Sequence, residues 1–285
     1  MQIAISTHSL SSDTRAAVAQ AAALGFTALE VHIQQTELGY GFRRRANLAF
    51  YETLAQEIAL RRLTVVALQA PRLTDHQTFS RRARREVLAL SGQVAGLLGA
   101  PLLVVRPPHL FLSEEALTDY LAGSPAEPPL VEGVEDVSAE LADHEVRLAL
   151  ENVAPWHDLP LTNEVTAMAR LVEVLDCQVA LDVRQALEAQ GPEGESGLAP
   201  WVEQVGSRVA LLRLYDRAEA EDEAGPGPPG PMERRLPPLE PTWRERLPLL
   251  RRTAAQACVV EATADPRIHG SLRASRTFWE KLWSP

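Results

Sequence analysis

Residues 147–152 read RLALEN, an apolar run that closes on a carboxylate, Glu151, and gives way to a loop. The same plan recurs downstream. Val179–Val183 (VALDV) carries Asp182, Val209–Tyr215 (VALLRLY) carries Arg213, and Cys258–Glu261 (CVVE) stops on Glu261. Upstream, Ile3–Ser6, Ala28–Ile33, Thr64–Gln69 and Leu102–Arg106 are similar runs, the last three carrying Glu30, Gln69 and Arg106 at or near their ends. Many of these runs are almost continuously apolar, as parallel strands covered on both faces are.

Helix-period segments separate the runs. Asp13 caps the first, whose apolar face is Ala16, Val18, Ala19, Ala22, Ala23 and Leu24, and Gly25 ends it. Further helices are expected over Ala46–Arg61, Arg81–Leu98 (stopped by Gly99), Glu114–Leu121, Leu130–Ala142, Asn163–Leu175, Ala199–Val205 and Leu272–Leu282. Strands alternating with helices imply a parallel sheet. Eight units favour closure into an α/β (β/α)8 TIM barrel over an open doubly wound sheet. The 285 residues, against ~250 for a typical barrel, fit one domain over 1–285. Active sites of such barrels lie at the C-terminal strand ends, which here hold Glu30, Gln69, Arg106, Glu151, Asp182, Arg213 and Glu261.

A net charge of -10 and a pI near 5.3 argue against a nucleic-acid or anionic-membrane surface. The N-terminus MQIAIST begins as a strand, without a secretory signal, and no apolar run reaches the ~20 residues of a membrane span. Cys177 and Cys258 read as buried free thiols, and the expected location is the cytoplasm. Neither GxGxxG nor a Walker loop occurs. Ala218–Pro241 is acidic, then rich in Pro and Gly, then basic, then Pro-rich again. It reads as a mobile loop insertion on the active face, either a lid or a passive insertion.

A carboxylate at the end of an apolar parallel strand is costly to desolvate alone. Glu151, Asp182 and Glu261 facing one mouth would raise one another's pKa values unless a cation lay between them. They therefore read as a metal or acid–base site, with ion pairing to arginines as the structural alternative. His8 and His32 follow strands one and two and can face the mouth. His109 lies past strand four, while His76, His144, His157 and His269 sit in loops, at helix ends or beyond strand eight. Trp156 follows strand five, where its ring either stacks on a sugar face or packs beneath a loop. Arg43–Arg45, after strand two, offer contact with an anion or a solvated surface, and the run Arg81–Glu86 reads as a solvated helix face.

The ordered set IAIST, GFTALEV, LGAPLLVV before Arg106, LALEN, ALDV, LLRLYD and VVEAT spans nearly the whole chain. In it the chain resembles the xylose isomerase-like TIM-barrel superfamily, which includes sugar-phosphate isomerase/epimerases, tagatose epimerase-type enzymes and endonuclease IV. The resemblance implies an isomerase or epimerase of carbohydrate metabolism acting on a small sugar, sugar phosphate or related polyol. Glu151 and Glu261 would then pass a proton through an enediolate. It also implies a divalent metal (Mn2+, Mg2+, Co2+ or Zn2+) held at the positions of Glu151, Asp182, Arg213 and Glu261. Arg213 stands where the epimerase branch has a histidine, and a guanidinium has no lone pair to give. A metal would thus rest on Glu151, Asp182 and Glu261 alone, or be absent with arginines in its place. The further histidines of the endonuclease branch fall on Gln69, Arg106 and Gln185, so its zinc site cannot be assembled. Glu30, His8, His32, Gln69, Arg106, Trp156, Gln185 and Arg213 are the expected substrate contacts. Two alternatives remain: a catalytically silent barrel that binds a metabolite or a partner protein, and a metal-free lyase or phosphatase on the same scaffold.

Overall fold

In the computed structural model the barrel strands are β1 (Gln2–Ser6), β2 (Ala28–His32), β3 (Thr64–Gln69), β4 (Leu102–Val105), β5 (Arg147–Glu151), β6 (Gln178–Asp182), β7 (Val209–Leu214) and β10 (Ala257–Val260). A two-stranded hairpin, β8 (Asp216–Arg217) and β9 (Arg235–Leu236), lies between β7 and β10 in the chain. The described residues are 1–33, 44–73, 80–111, 113–123, 129–131, 134–152, 164–188, 197–217, 235–239 and 241–284. Strands β1 to β7 pair in sequence order, all in parallel, and β10 closes the ring between β7 and β1. The expected (β/α)8 barrel is therefore closed, and the open sheet is excluded.

Two apolar layers hold it together. Between strands and helices lies the larger one, including Ile5, Leu29, Leu103, Leu150, Leu181, Leu212 and Cys258. The other fills the barrel interior and is built of small side chains: Ala4, Ala28, Ala67, Ala149, Ala180, Ala210 and Ala257, with Leu211, Val104 and Val259. Side chains alternate across a strand. Two positions beyond Ala28, Ala67, Ala149, Ala180, Leu211 and Val259 stand Glu30, Gln69, Glu151, Asp182, Arg213 and Glu261. The strand period alone thus carries six polar residues into the barrel, one step above an apolar floor.

The helix punctuation follows local chemistry. The Asp13 carboxylate accepts the Ala16 N–H at 2.8 Å, the Ser80 hydroxyl accepts the Ala83 N–H at 3.3 Å, and Gly99 ends its helix with φ 63°. Cys177 and Cys258 are free and buried. Among the described residues no helix is long and apolar enough to cross a membrane.

Several bounds and elements differ from the sequence reading. Arg106 lies past the end of β4 and caps the short helix Pro107–Leu110, and Val183 opens a helix, Val183–Glu188, instead of closing β6. A helix over Thr242–Leu250 was not expected, because Pro248 lies inside it and prolines precede it. Residues 235–239, at the end of the supposed mobile insertion, are pinned. The Asp216 carboxylate accepts the Trp243 indole N–H and the Leu239 N–H, each at 2.7 Å. The Pro238 carbonyl accepts from Ser275 at 3.1 Å and from the Trp279 indole at 3.2 Å. Residues 218–234 lie outside the described residues.

Asp216→Ala leaves two donors without that acceptor and should cost ~1–3 kcal/mol in urea unfolding. Glu86→Ala, which breaks the exposed Arg82 pair, should cost ~0–1 kcal/mol. Equal costs would remove the hairpin anchor from the account.

Candidate active site

Arg213 enters the barrel from β7 and is 1% exposed. Its Nε donates to Glu30 Oε1 at 3.1 Å, and its terminal nitrogens bond Glu30, Glu151 and Gln69. The Glu261 carboxylate lies 3.6 Å from Nε. Strands β2, β3, β5 and β7 and the end of β10 thus converge on one guanidinium. Burial opposes the charge of Arg213, but Glu151, Glu30 and Glu261 outweigh it and push its pKa up. Burial likewise favours a neutral Glu30, yet Arg213 and His32 hold its pKa below the ordinary value.

Glu151 is shared. Oε1 accepts from Arg213, and Oε2 accepts from Arg106 Nε at 2.8 Å and from Gln69 Nε2 at 3.4 Å. Burial would raise its pKa, but Arg106 and then Arg213 keep it well below the usual carboxylate range. On the other side, Arg235 Nη1 donates to Glu261 Oε2, its Nη2 lies 3.8 Å from Asp182 Oδ2, and the guanidinium sits 4.0 Å over the Tyr215 ring.

Asp182 differs from its neighbours. Its Oδ1 accepts the Gln185 N–H at 3.0 Å, and the Asn152 amide brackets its backbone at 2.6 and 3.1 Å. Its Oδ2 is buried without a hydrogen-bond partner among the described residues. Burial pushes the Asp182 pKa up to about 7 despite Arg235, with Glu261 adding to the rise. Burial, then Asp182, pushes the Tyr215 phenol up to about 12, and Gln185 Nε2 reaches its hydroxyl at 3.5 Å.

The histidines divide. His32 Nε2 lies 3.0 Å from Glu30 Oε2, and its ring stacks on His8 at 5.5 Å between centroids. Burial, then His32, lowers the His8 pKa. His109 is buried: one ring nitrogen meets the Pro71 carbonyl at 2.9 Å, and the other meets the Arg106 N–H at 3.2 Å. Burial pushes its pKa down to about 4, so the neutral ring ties the chain after β3 to the end of β4. His144 is exposed in the turn before β5, and His269 opens the last helix. Trp156, His76, His157 and Arg43 lie outside the described residues. Glu30, Gln69, Arg106, Glu151, Asp182, Arg213, Glu261, His8, His32 and Gln185 therefore gather at one mouth. Sequence reasoning missed Arg235, Tyr215 and Asn152. The only signal for Arg235 was a basic doublet inside a proline-rich stretch.

Donor chemistry tests the fit of a resident divalent ion. Ligand atoms of Glu30, His32 and Glu261 lie within 4.8 Å of one another. Yet Glu30 Oε1 serves Arg213, Glu30 Oε2 serves His32, and Glu261 Oε2 serves Arg235. In the set Glu151, Asp182 and Glu261, both oxygens of Glu151 hold guanidinia. An ion at Glu151, Asp182 and Glu261 would have to displace guanidinia that cannot deprotonate, so that set does not fit one; an ion at Glu30, His32 and Glu261 would have to break the contact between His32 and Glu30.

Arg213→Met should destabilise the chain by about 3–5 kcal/mol in urea unfolding, because Glu30 and Glu151 lose their buried counter-charge. Adding Glu30→Gln should recover part of that loss; a mild single variant would contradict the arrangement. Asp182 yields a pH effect of definite sign. The folded chain keeps its proton up to about 7, whereas the unfolded chain releases it near 3.8. Stability from this group therefore falls as pH rises from about 4 to 7. Thermal unfolding across that range should show Asp182→Asn gaining on the parent chain; a constant difference would refute the buried proton.

The family model for xylose isomerase-like TIM barrels matches residues 18–282. D-psicose 3-epimerase from Clostridium cellulolyticum H10, solved with D-tagatose, superposes with a TM-score of 0.68 at 15% identity, covering 100% of each chain. A xylose isomerase domain protein from Alicyclobacillus acidocaldarius gives 0.65 at 17%, over 99% of this chain and 98% of that one. The probable 3-DHS dehydratase AsbF from Bacillus anthracis gives 0.59 at 15%, over 98% and 99%. At such identities the solved structures speak for the fold alone. No curated protein sequence matches the chain. With its model matched over nearly the full length, the chain belongs to the xylose isomerase-like TIM-barrel family.

Proposed function

We propose that this barrel is a sugar isomerase or epimerase that moves a proton next to a carbonyl of a small polyol, sugar or sugar phosphate without a resident divalent ion. The observation that carries this reading is the Arg213 guanidinium held by Glu30, Glu151 and Gln69 at the base of the mouth. It supplies fixed positive charge among Glu151, Asp182 and Glu261. A preorganised guanidinium lowers the energy of a developing enediolate at no cost in reorganisation. Arg106, bonded to Glu151 and partly exposed, is the guanidinium placed to meet that charge.

The proton roles follow from environment. Glu151 stays ionised at neutral pH because Arg106 and Arg213 hold it so, and it serves as base. Glu261, which lies between Arg213 and Arg235, exchanges the proton from the other side. Asp182 retains a proton near neutrality and completes the cluster as a reserve acid. Environments that push neighbouring carboxyl pKa values apart are how acid and base roles are divided at one pH.

The competing reading is a silent barrel that binds a metabolite. It is favoured by saturation: both oxygens of Glu30 and of Glu151 are engaged, and Asp182 Oδ2 is the one fully buried side-chain atom of this layer without a hydrogen-bond partner among the described residues. Solvent deuterium exchange separates the two. The parent chain should wash deuterium into a ketose or its phosphate in chelator-treated buffer. Glu151→Gln and Glu261→Gln should each lose at least ~10²-fold while remaining folded. Full exchange in both variants would discard the assignment, and activity lost to chelator and restored by Mn2+ would discard its metal-free form.

A further inference from the structure

Away from the mouth, three neighbouring helices end just before β3, β4 and β5, at the N-terminal strand ends. They are Arg44–Leu60, Arg81–Leu98 and Val134–Asp143, and the middle one packs against both others. The chain leaves each through a left-handed residue: Arg62 at φ 56°, Gly99 at φ 63° and Glu145 at φ 56°. Glycine is the usual choice there, because an L side chain is strained at positive φ. Asp176, at φ 45°, is the other charged residue in that conformation among the described residues, and its carboxylate accepts from Arg208 at 2.6 Å. Arg62 and Glu145 are exposed, and neither side chain has an ion pair or hydrogen bond among the described residues.

Between these two residues lies an apolar groove of about 420 Å³, whose lining includes Ile58, Leu63, Leu97 and Leu98. Arg62 adjoins one wall through Leu63. The acidic turn adjoins the other, for the His144 ring packs on Gly96, where a Cβ would come within 3.0 Å of it. Leu97 is 38% exposed and Leu60 83%. At Gly99 a Cβ would meet nothing within 4 Å, so the middle helix end is open to close approach. The face therefore runs from cation through an apolar centre to anion, with Arg61 and Arg62 on one flank and Asp143 and Glu145 on the other. A strip of that kind is complementary to itself when turned through 180°. An isologous interface requires this property, since residue i meets j and j meets i.

We infer that this face is a two-fold interface between copies of the chain, with Leu97 near its copy at the axis and Arg62 opposite Glu145 of the partner subunit, twice. The left-handed arginine and glutamate then do between subunits what Asp176 does with Arg208 inside one chain. The contact lies at the end of the barrel away from the mouth, so it is independent of the isomerase reading. A strip of three helix ends is small for a specific interface, under ~1,200 Å² in total, and association is expected at micromolar concentration.

Sedimentation velocity on the full chain, from about 1 to about 200 μM to bracket micromolar affinity, tests it. The parent chain should pass from monomer to dimer. Arg62→Glu and Glu145→Arg should each raise the dissociation constant about tenfold or more, because each turns two attractive pairs into repulsive ones. An equimolar mixture of the two variants should dimerise again, since one brings only acids and the other only arginines to the paired positions. Both variants remain net negative, so general attraction between unlike chains cannot mimic that recovery. Leu97→Glu, at the axis, is an independent check and should stay monomeric throughout. All three sites are exposed, and circular dichroism should show each variant folded as the parent is. A parent chain that stays monomeric at the highest concentration would overturn the interface. So would a dimer indifferent to both charge reversals, or a mixture no more dimeric than its components.

Discussion

A buried guanidinium cannot lose its proton and cannot be left alone. Taking such an ion out of water costs several kcal/mol even after relaxation. Arg213 is nevertheless 1% exposed at the centre of this barrel. Its neighbours follow from that constraint: Glu30 from β2, Glu151 from β5, Glu261 from the end of β10 and the Gln69 carbonyl from β3. Each would be costly to bury without the others. The cluster is a closed set in which one missing member strands the rest.

The small interior makes the set possible. A barrel of this size is normally filled by branched side chains in layers. Here Ala4, Ala28, Ala67, Ala149, Ala180 and Ala257 line the lower interior. Alanines leave room above them for a long arginine and its partners. The Thr7–Ser9 turn after β1 then secures the rim. The Thr7 hydroxyl accepts the His32 N–H at 2.9 Å, and the Ser9 hydroxyl accepts the Ala262 N–H at 2.9 Å. Two strand ends that carry site residues are thereby fixed to a third.

The strands, their order and the inward position of Glu151, Asp182, Arg213 and Glu261 were legible because they depend on local apolar runs and a period of two. Asp13, Gly25 and Gly99 marked helix ends for equally local reasons. Arg235 was not legible. Its place depends on Asp216 gripping Trp243 and on Pro238 packed beneath Trp279, contacts made across the fold. The helix over Thr242–Leu250 was hidden by Pro248, which local propensity penalises and tertiary packing of Trp243 and Leu250 overrides. The partition of charge was hidden too, since sequence shows which groups ionise and not which pairs form.

That partition explains why Asp182 stands apart. A divalent ion would bring two positive charges to the mouth, and an arginine at the position of the expected histidine brings one. Among the described residues the cluster holds four carboxylates, Glu30, Glu151, Asp182 and Glu261, facing the guanidinia of Arg106, Arg213 and Arg235, with His32 beside Glu30. Asp182 has the poorest partner: Glu151 has two arginines in contact, whereas Asp182 has only the 3.8 Å approach of Arg235 and an oxygen without a hydrogen bond among the described residues. Burial then tips Asp182 toward its protonated form, with a pKa near 7. A ring of carboxylates neutralised by guanidinia thus contains one member, Asp182, that can give up or take a proton near neutral pH.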